Sequence, residues 1–425
     1  MASTPTVIFG AFDRHNFGDL LIAQVAARML PRRELLFAGL AARGPRGDGG
    51  PATVALARIA AFARGRSVNV IHAGGELLTC NAWEAAVMLA PPQRVPALIA
   101  TEGEWLRDGR AWAQQHVGVA SLAPYVLSKS ALPGVRVKHL SFNAVGGVDL
   151  DARDAQLGAD VLAALQSADV VSVRDRQTQA LLAERGIEAR LLPDPAAMTA
   201  ALFGTAIRRH ATNLALRDAR QAFPHGYAAV QFSADFGDDA TLDTLAKQLE
   251  LAARGHGLGI VLFRAGAAPW HDDLAVYERL AARLRAAHVR VFTSLNVWDI
   301  CALIAGSRIY CGSSLHGRIV AMAYALPRIN ISHPDHFFEG SKHAAYVRTW
   351  EATGLAGVVN LGNLADAVAN ALVTDYESLR ETASALARRY RMEFESERRY
   401  PARKPGAIQL TPTSVSGQAA FRRVR

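Results

Sequence analysis

The chain has 425 residues, half of them hydrophobic and 20% charged, which is apolar material for two ordinary cores and sets a two-domain expectation. No apolar run approaches the roughly 18 residues of a membrane-spanning helix, and the opening MASTPTVIFGAF lacks the basic start and cleavage pattern of a secretory signal, so a soluble, cytoplasmic protein is expected. The net charge of +9 invites a nucleic-acid reading, but seven of the 47 basic residues lie between Arg398 and Arg425, leaving 40 against 38 acidic residues in the body, which argues against nucleic acid.

From the N-terminus, Thr6 to Phe12 reads as a strand and Leu20 to Leu30 as a helix with Ile22, Val25 and Met29 on one face. Val68 to His72 is a second strand, ending in Gly74-Gly75. Asp169 to Val173 is a third, followed by a helix from Gln177 to Glu184. This alternation predicts a mostly parallel sheet with helices on both faces. Between Leu202 and Gly226 the periodicity fades into a mixed polar stretch, which places a boundary between an N-terminal domain, 1–205, and a second domain, 206–375. There a new series begins: Tyr227 to Phe232, Gly259 to Phe263, Val289 to Thr293, Arg308 to Cys311 and Arg328 to Ser332, with helical patterns between. The fold class is therefore α/β, with two Rossmann-like doubly wound domains.

A helix over 376–397, with Tyr376, Leu379, Ala383, Leu386 and Tyr390 spaced three and four apart, closes the second domain or crosses back to the first. The remainder, 398–425, is basic, contains Pro and Ser, and is expected to be disordered. It serves as a solubilising terminus, or as a weak contact to an anionic membrane face or phosphate-bearing substrates. Cys80, Cys301 and Cys311 are odd in number and form no CxxC, which suggests neither a disulfide framework nor a zinc ribbon.

Ligands of parallel sheets bind outside the carboxyl ends of the strands, so four loops carry the chemistry. In the first, Gly10 to Asp19, the residues Asn16, Gly18 and Asp19 supply a φ > 0 turn and a helix cap. Alternatively they face a ligand with their backbone N–H groups, with Asp19 as a candidate general base. The second is His72-Ala-Gly74-Gly75-Glu76, whose paired glycines permit close approach of a backbone or ligand. In the third, Arg174 and Arg176 stand at a helix start, where cations oppose the helix dipole; a salt bridge from Arg174 to Asp175 or Asp194, or an anionic ligand, resolves the conflict. The fourth is Cys311-Gly-Ser313-Ser314-Leu-His316-Gly-Arg318, a strand-to-helix turn with His316 in the first helical turn. It reads as an anion site with an acid/base group built in, or as a capping histidine with a surface arginine.

His333, His336 and His343 have loose spacing for a metal site, and the stretch His333 to Lys342 reads better as a ligand-facing lid. Trp83, Trp105 and Trp112 stack on sugar faces or simply pack. No Walker A loop, zinc-hydrolase motif or GxSxG elbow is present.

In combination these stretches resemble the polysaccharide pyruvyl transferase family. The resemblance rests on Asn16-Phe-Gly-Asp19 ahead of a helix, a strand followed by Gly74-Gly75, Ser172-Val-Arg-Asp175 with Leu192-Pro-Asp-Pro195 behind it, Ser314-Leu-His-Gly317 leading to Ala325-Leu-Pro327, and Lys342. It spans residues 6 to 350 and excludes the tail after 397. It implies two Rossmann-like domains in a GT-B-like arrangement, the first on the acceptor side and the second on the donor side. Phosphoenolpyruvate is then the donor co-substrate, and the acceptor is a sugar hydroxyl pair on an exopolysaccharide or cell-surface glycan precursor, with a lipid-linked oligosaccharide as one candidate. No cofactor and no metal are implied. Arg174 and Arg318 would hold the two anionic groups with Lys342 assisting, His316 would protonate the methylene carbon, and Asp19 or Asp194 would receive the hydroxyl proton. Ser313, Ser314, Asn16, Gly18, Gly74 and Gly75 complete the expected binding residues.

The chain departs from the family pattern in three places. Ser314 stands where members often have an arginine two residues before the histidine, Asp13-Arg-His15 interrupts the first loop, and Glu76 replaces a third glycine. The rival readings are a GT-B glycosyltransferase using a nucleotide sugar, for which no ribose-binding acid follows the fourth loop, and a non-catalytic glycan- or anion-binding protein of the same fold.

Overall fold

The computed structural model describes residues 4–30, 34–44, 47–285, 288–333, 335, 340–352, 354–355 and 357–399. Runs such as Val7-Ile-Phe9 and Gly259-Ile-Val-Leu-Phe263 are buried along their whole length, the pattern of strands covered on both faces. The first sheet contains β1 (Thr6–Phe9), β2 (Leu35–Gly39), β3 (Val54–Ala55), β4 (Val68–Ala73), β5 (Val137–Val145), β6 (Val170–Val173) and β7 (Arg190–Leu191). Its order is β3-β2-β1-β4-β5-β6-β7. The second contains β8 (Tyr227–Gln231), β9 (Gly259–Phe263), β10 (Val289–Phe292), β11 (Ile309–Gly312), β12 (Arg328–Ser332) and β13 (Val358–Asn360), in the order β10-β9-β8-β11-β12-β13. Every pairing between these strands is parallel. In both sheets the chain reverses direction of growth beside the first strand, between β1 and β4 and between β8 and β11, the switch points where doubly wound folds hold ligands.

The stretch expected to be an irregular boundary contains two helices instead, Thr199–His210 and Leu214–Ala222. Their apolar residues are sparse but placed inward: Ile207, Leu216 and Ala219 are buried. His210 and Asn213 reach Asp299 of the second domain at 2.7 and 3.1 Å. The passage between domains is thus packed on the second domain. The last helix, Tyr376–Arg399, crosses back to the first: the Tyr390 hydroxyl accepts from Asn143 of β5 at 2.9 Å, and Arg389 donates to the Leu191 carbonyl at 3.2 Å. Leu379, Leu386, Tyr390 and Phe394 form its buried stripe, whereas Tyr376, expected in that stripe, is 64% exposed. Residues 400–425, the greater part of the basic tail, lie outside the described residues.

One apolar cluster joins the domains. It runs from Phe17, Leu20 and Leu21 through Met198 to Ile300, Met322 and Tyr390. The outer faces of the two sheets have separate clusters. A shared core of this kind fixes how the two rows of strand ends face each other.

Candidate functional site

The carboxyl ends of the strands open into one cleft of about 690 Å³ between the domains. The first domain contributes Arg14, Asn16 and Asp19 after β1, Gly75, Glu76 and Thr79 after β4, Asp149 and Arg153 after β5, and Arg174 after β6. The second contributes Ser233 after β8, Gly266 to Asp272 after β9, Ser313 to His316 after β11, and His333, Lys342 and His343 after β12. Each is a loop residue or a first-turn residue placed by a buried strand.

The loop after β1 is stitched to the opposite domain. Asn16 caps the helix Phe17–Met29 by accepting from Gly18 and Asp19, and Phe17 donates its N–H to the Ala265 carbonyl at 2.7 Å. Gly18 is not a φ > 0 residue, contrary to the sequence reading. It lies in the helix, and a Cβ there would stand 1.9 Å from Nδ1 of His316. The glycine exists because the imidazole of the other domain sits on its backbone. Asp19 lines the cleft, and its carboxylate accepts the Gly75 N–H at 2.9 Å, which ties the first two loops together. Gly75 touches His316 and Arg174, whereas Gly74 faces Leu77 and does not line the cleft.

Ser314 caps the helix Leu315–Ala323 by accepting from Gly317 at 3.2 Å, and His316 follows in its first turn. The Nε2 atom of His316 is buried and 3.4 Å from Asp194, without an aligned hydrogen bond. Asp194 is fully buried behind the imidazole, where it accepts from the Ala196 N–H and from Arg174. Burial alone would raise its pKa, but His316 and Arg174 overcome that and hold it below the usual carboxylate range. Asp194, expected to receive a substrate proton, touches the imidazole and does not line the cleft. Arg174 reaches the cleft already paired, with Asp194 at 3.1 Å and with Glu76.

Arg318 does not reach the cleft, which corrects its expected role as an anion clamp. It is fully buried, makes two bonds to Glu351 at 2.7 and 2.9 Å, and donates to the Gly357 carbonyl. Arg328 shares the same carboxylate. Two residues beyond His316 on a helix is a rotation of roughly 200°, to the opposite face. The positions i and i+2 could never have served one ligand.

The cleft instead draws its charge from residues to which the sequence gave less weight. Arg14, in the stretch that interrupts the first loop, donates to the Tyr125 hydroxyl at 2.7 Å and lies over its ring, with Nε buried and without a hydrogen-bond partner among the described residues. Lys342 projects into the cleft and makes no ion pair among the described residues. Burial drives the His271 pKa down to about 3, and Arg14, Lys342 and His15 lower it further. The imidazole is therefore neutral, with a buried Nε2 that has no hydrogen-bond partner among the described residues. His343 is also pushed to about 3, chiefly by burial and then by Lys342, and its Nε2 lies 3.0 Å from the Ser313 carbonyl. Ser313 in turn accepts from the Ser233 N–H at 3.0 Å. Burial raises Asp272 to about 7 even though Ala265, Gly266 and Gln231 donate to it, which anchors the loop carrying His271. The sequence signal for this loop was Trp270-His-Asp-Asp273, seven residues past the end of the buried strand β9 at Phe263.

Among the described residues no group of three His, Cys, Asp or Glu side chains stands ready to hold a metal. His336 and half of the expected lid, His333 to Lys342, lie outside the described residues. Of the three tryptophans singled out, Trp83 lines the cleft, while Trp105 and Trp112 pack edge to face on each other.

The motifs from Arg174 through Asp194 to Ser314 and His316 now have one setting, a charged cleft at the strand ends. Residues 154–336 match the family model of the polysaccharide pyruvyl transferases. That segment holds Arg174, Asp194 and His316 and ends before Lys342. No curated protein matches the chain in sequence. In structure the chain is similar to UDP-GlcNAc 2-epimerase from Neisseria meningitidis bound to UDP-GlcNAc, at 9% identity and a TM-score of 0.50, with 93% of this chain and 100% of that chain covered. The S. aureus MnaA-UDP co-structure gives 10% identity and a TM-score of 0.51, covering 94% and 96%. At such identities the likeness shows the fold, two Rossmann-like domains in the GT-B arrangement, and nothing of the chemistry. No helix among the described residues is long and apolar enough to cross a membrane.

Proposed function

We propose that the protein is a ketal pyruvyltransferase that moves the enolpyruvyl group of phosphoenolpyruvate onto a pair of sugar hydroxyls. The observation that carries this reading is the grouping of His316, backed by buried Asp194, with two cationic side chains that make no ion pair among the described residues, Arg14 and Lys342, in one cleft. Phosphoenolpyruvate carries a carboxylate and a phosphate; the buried Nε of Arg14, without a hydrogen-bond partner among the described residues, is a donor that such groups would satisfy, as is Nε2 of His271 in the tautomer that carries its proton there. Arg14 and Lys342 thus take the anion-binding role that the sequence gave to Arg318.

In the reaction, His316 gives a proton to the methylene carbon, which becomes a methyl group as C2 becomes electrophilic. An acceptor hydroxyl oxygen bonds to C2 and loses its proton to a carboxylate at the cleft, Asp19 or Glu76. The C2–O bond to phosphate breaks, the second hydroxyl bonds to C2, and the ring closes. Of the two hydroxyl protons released, one restores His316 and the other leaves with phosphate. Cations around the departing phosphate stabilise its charge, and Asp194 keeps the imidazole oriented.

The test is incubation with phosphoenolpyruvate and a panel of nucleotide- and lipid-linked sugars, following phosphate release and the acceptor's gain of one pyruvate less one water. His316→Ala is expected to lose turnover and retain phosphoenolpyruvate binding, and Arg14→Ala to lose that binding. Turnover with a UDP-sugar as donor, or an unchanged phosphate-release rate in His316→Ala, contradicts the assignment.

A further inference from the structure

The cleft is also lined by two indoles, one from each domain. Trp83 comes from the first domain, in the first turn of the helix Ala82–Leu89, and Trp270 from the second, in the loop after β9. Their ring centroids are 5.1 Å apart at an interplanar angle of 46°. Both are held from behind. Reciprocal bonds between Asn81 and Glu84 fix the helix start beside Trp83. The Trp270 loop is pinned by Asp272 and by the His271 carbonyl, which accepts from Ala234 at 2.8 Å.

Trp270 has two features that packing does not account for. Its φ is +65°, a conformation that a bulky residue adopts only under strain and that glycine would adopt freely. Its side chain is also 47% exposed, although it is among the largest apolar groups in the chain. The loop thus keeps an indole, in a backbone state unsuited to it, and presents it to the cleft. Asp149 and Arg153 line the same cleft, Arg153 in an ion pair with Glu84 at 2.7 Å and Asp149 with its exposed carboxylate in no hydrogen bond among the described residues.

A pyranose ring fits this chemistry: its C–H faces are apolar and stack on indole, while its hydroxyl rim bonds to carboxylates and guanidinium groups. We propose that Trp83 and Trp270 form the platform on which a pyranose ring of the sugar acceptor rests, with Asp149 accepting from its hydroxyls. This rests on the function proposed above for the donor. The cleft volume of about 690 Å³ leaves room for a sugar beside a small anionic donor.

The test uses the intact protein and methyl pyranosides of differing hydroxyl configuration, read by saturation-transfer NMR and tryptophan emission without phosphoenolpyruvate. Calorimetric titration with phosphoenolpyruvate runs in parallel. In the native protein the ring C–H protons of at least one pyranoside should receive saturation. Trp270→Gly and Trp83→Ala should weaken that binding by at least about tenfold, the scale of a lost aromatic stacking surface. Trp270→Phe should restore much of it, and phosphoenolpyruvate affinity should stay within about twofold in all three, a change of under roughly 0.5 kcal/mol. Pyranoside binding unchanged in both indole-removing variants overturns the platform, as does a native protein that binds no pyranoside. So does an indole response to UDP alone, which would assign the pair to a nucleotide base. Failure of the native protein to bind phosphoenolpyruvate instead counts against the donor assignment and leaves the pyranoside result to be read by itself.

Discussion

Arg318 and Arg14 exchange the roles that the sequence suggested, and burial decides the exchange. Arg318 spends its guanidinium on Glu351, inside a fully buried group completed by Arg328. Burial would raise the Glu351 pKa, yet the two arginines bring it from the ordinary 4.5 to about 2. Because the folded value is depressed, its contribution to stability is complete above the unfolded value and is lost as pH falls from about 4.5 through about 2. Glu351→Gln should therefore flatten the acid limb of stability in that window. At neutral pH it should destabilise by about 3–5 kcal/mol, since two buried cations lose their counter-charge. Denaturant unfolding followed by circular dichroism at pH 7 and at pH 3 measures both effects; an equal loss of stability by native and variant proteins on acidification would contradict the assignment.

At the scale of elements, the site is assembled from strand ends and helix starts, with glycine where two elements touch. Gly18 and Gly158 both lie in helices, yet they predict opposite outcomes. Gly18→Ala puts a methyl 1.9 Å from His316 across the domain interface. It should cost about 1–3 kcal/mol as overpacking and lower turnover by displacing the imidazole. Gly158→Ala, in the helix Ala155–Ser167 with nothing within 4 Å, should stabilise by about 0.5–1 kcal/mol through helix propensity and leave turnover unchanged. Thermal melts with phosphate-release kinetics on both variants separate contact from propensity. The strand-ends rule located Asn16, Asp19, Gly75, Ser314 and His316 in the sequence because each lies within a few residues of a legible apolar strand. The loop carrying Trp270 and His271 followed an equally legible strand, but no glycine motif or helix cap drew attention to it.

For the whole molecule, the shared core and the returning last helix make the relative placement of the domains part of the fold. Tyr390 is fully buried, and its hydroxyl bonds to Asn143 in the first sheet although its helix follows the second. Tyr390→Ala should remove about 3–5 kcal/mol, and Tyr390→Phe about 1 kcal/mol, the worth of the hydrogen bond alone. In the alanine variant the urea transition should broaden or split as the domains uncouple, a change that fluorescence and circular dichroism would report at different midpoints. Coincident, equally steep transitions would show that the helix does not couple them.

The α/β class and the two-domain count were determined by the sequence, because buried parallel strands are short continuous apolar runs and the runs come in two series. Strands β3 and β7, two residues each, have no periodicity to read, and β5 opens on Val137-Lys-His139, whose polar side chains hide its start. The helical passage over 199–222 was illegible because its few inward residues are diluted by charge. The motif around His316 was visible locally, since a cap and a turn are written in consecutive residues. What its neighbours do was not. Whether an arginine meets a ligand or a buried glutamate depends on which face of a helix the rest of the chain covers; Arg174 meets Glu76 through the order of strands in the first sheet, and Gly18 with His316 and Trp83 with Trp270 are brought together only by the packing of one domain on the other.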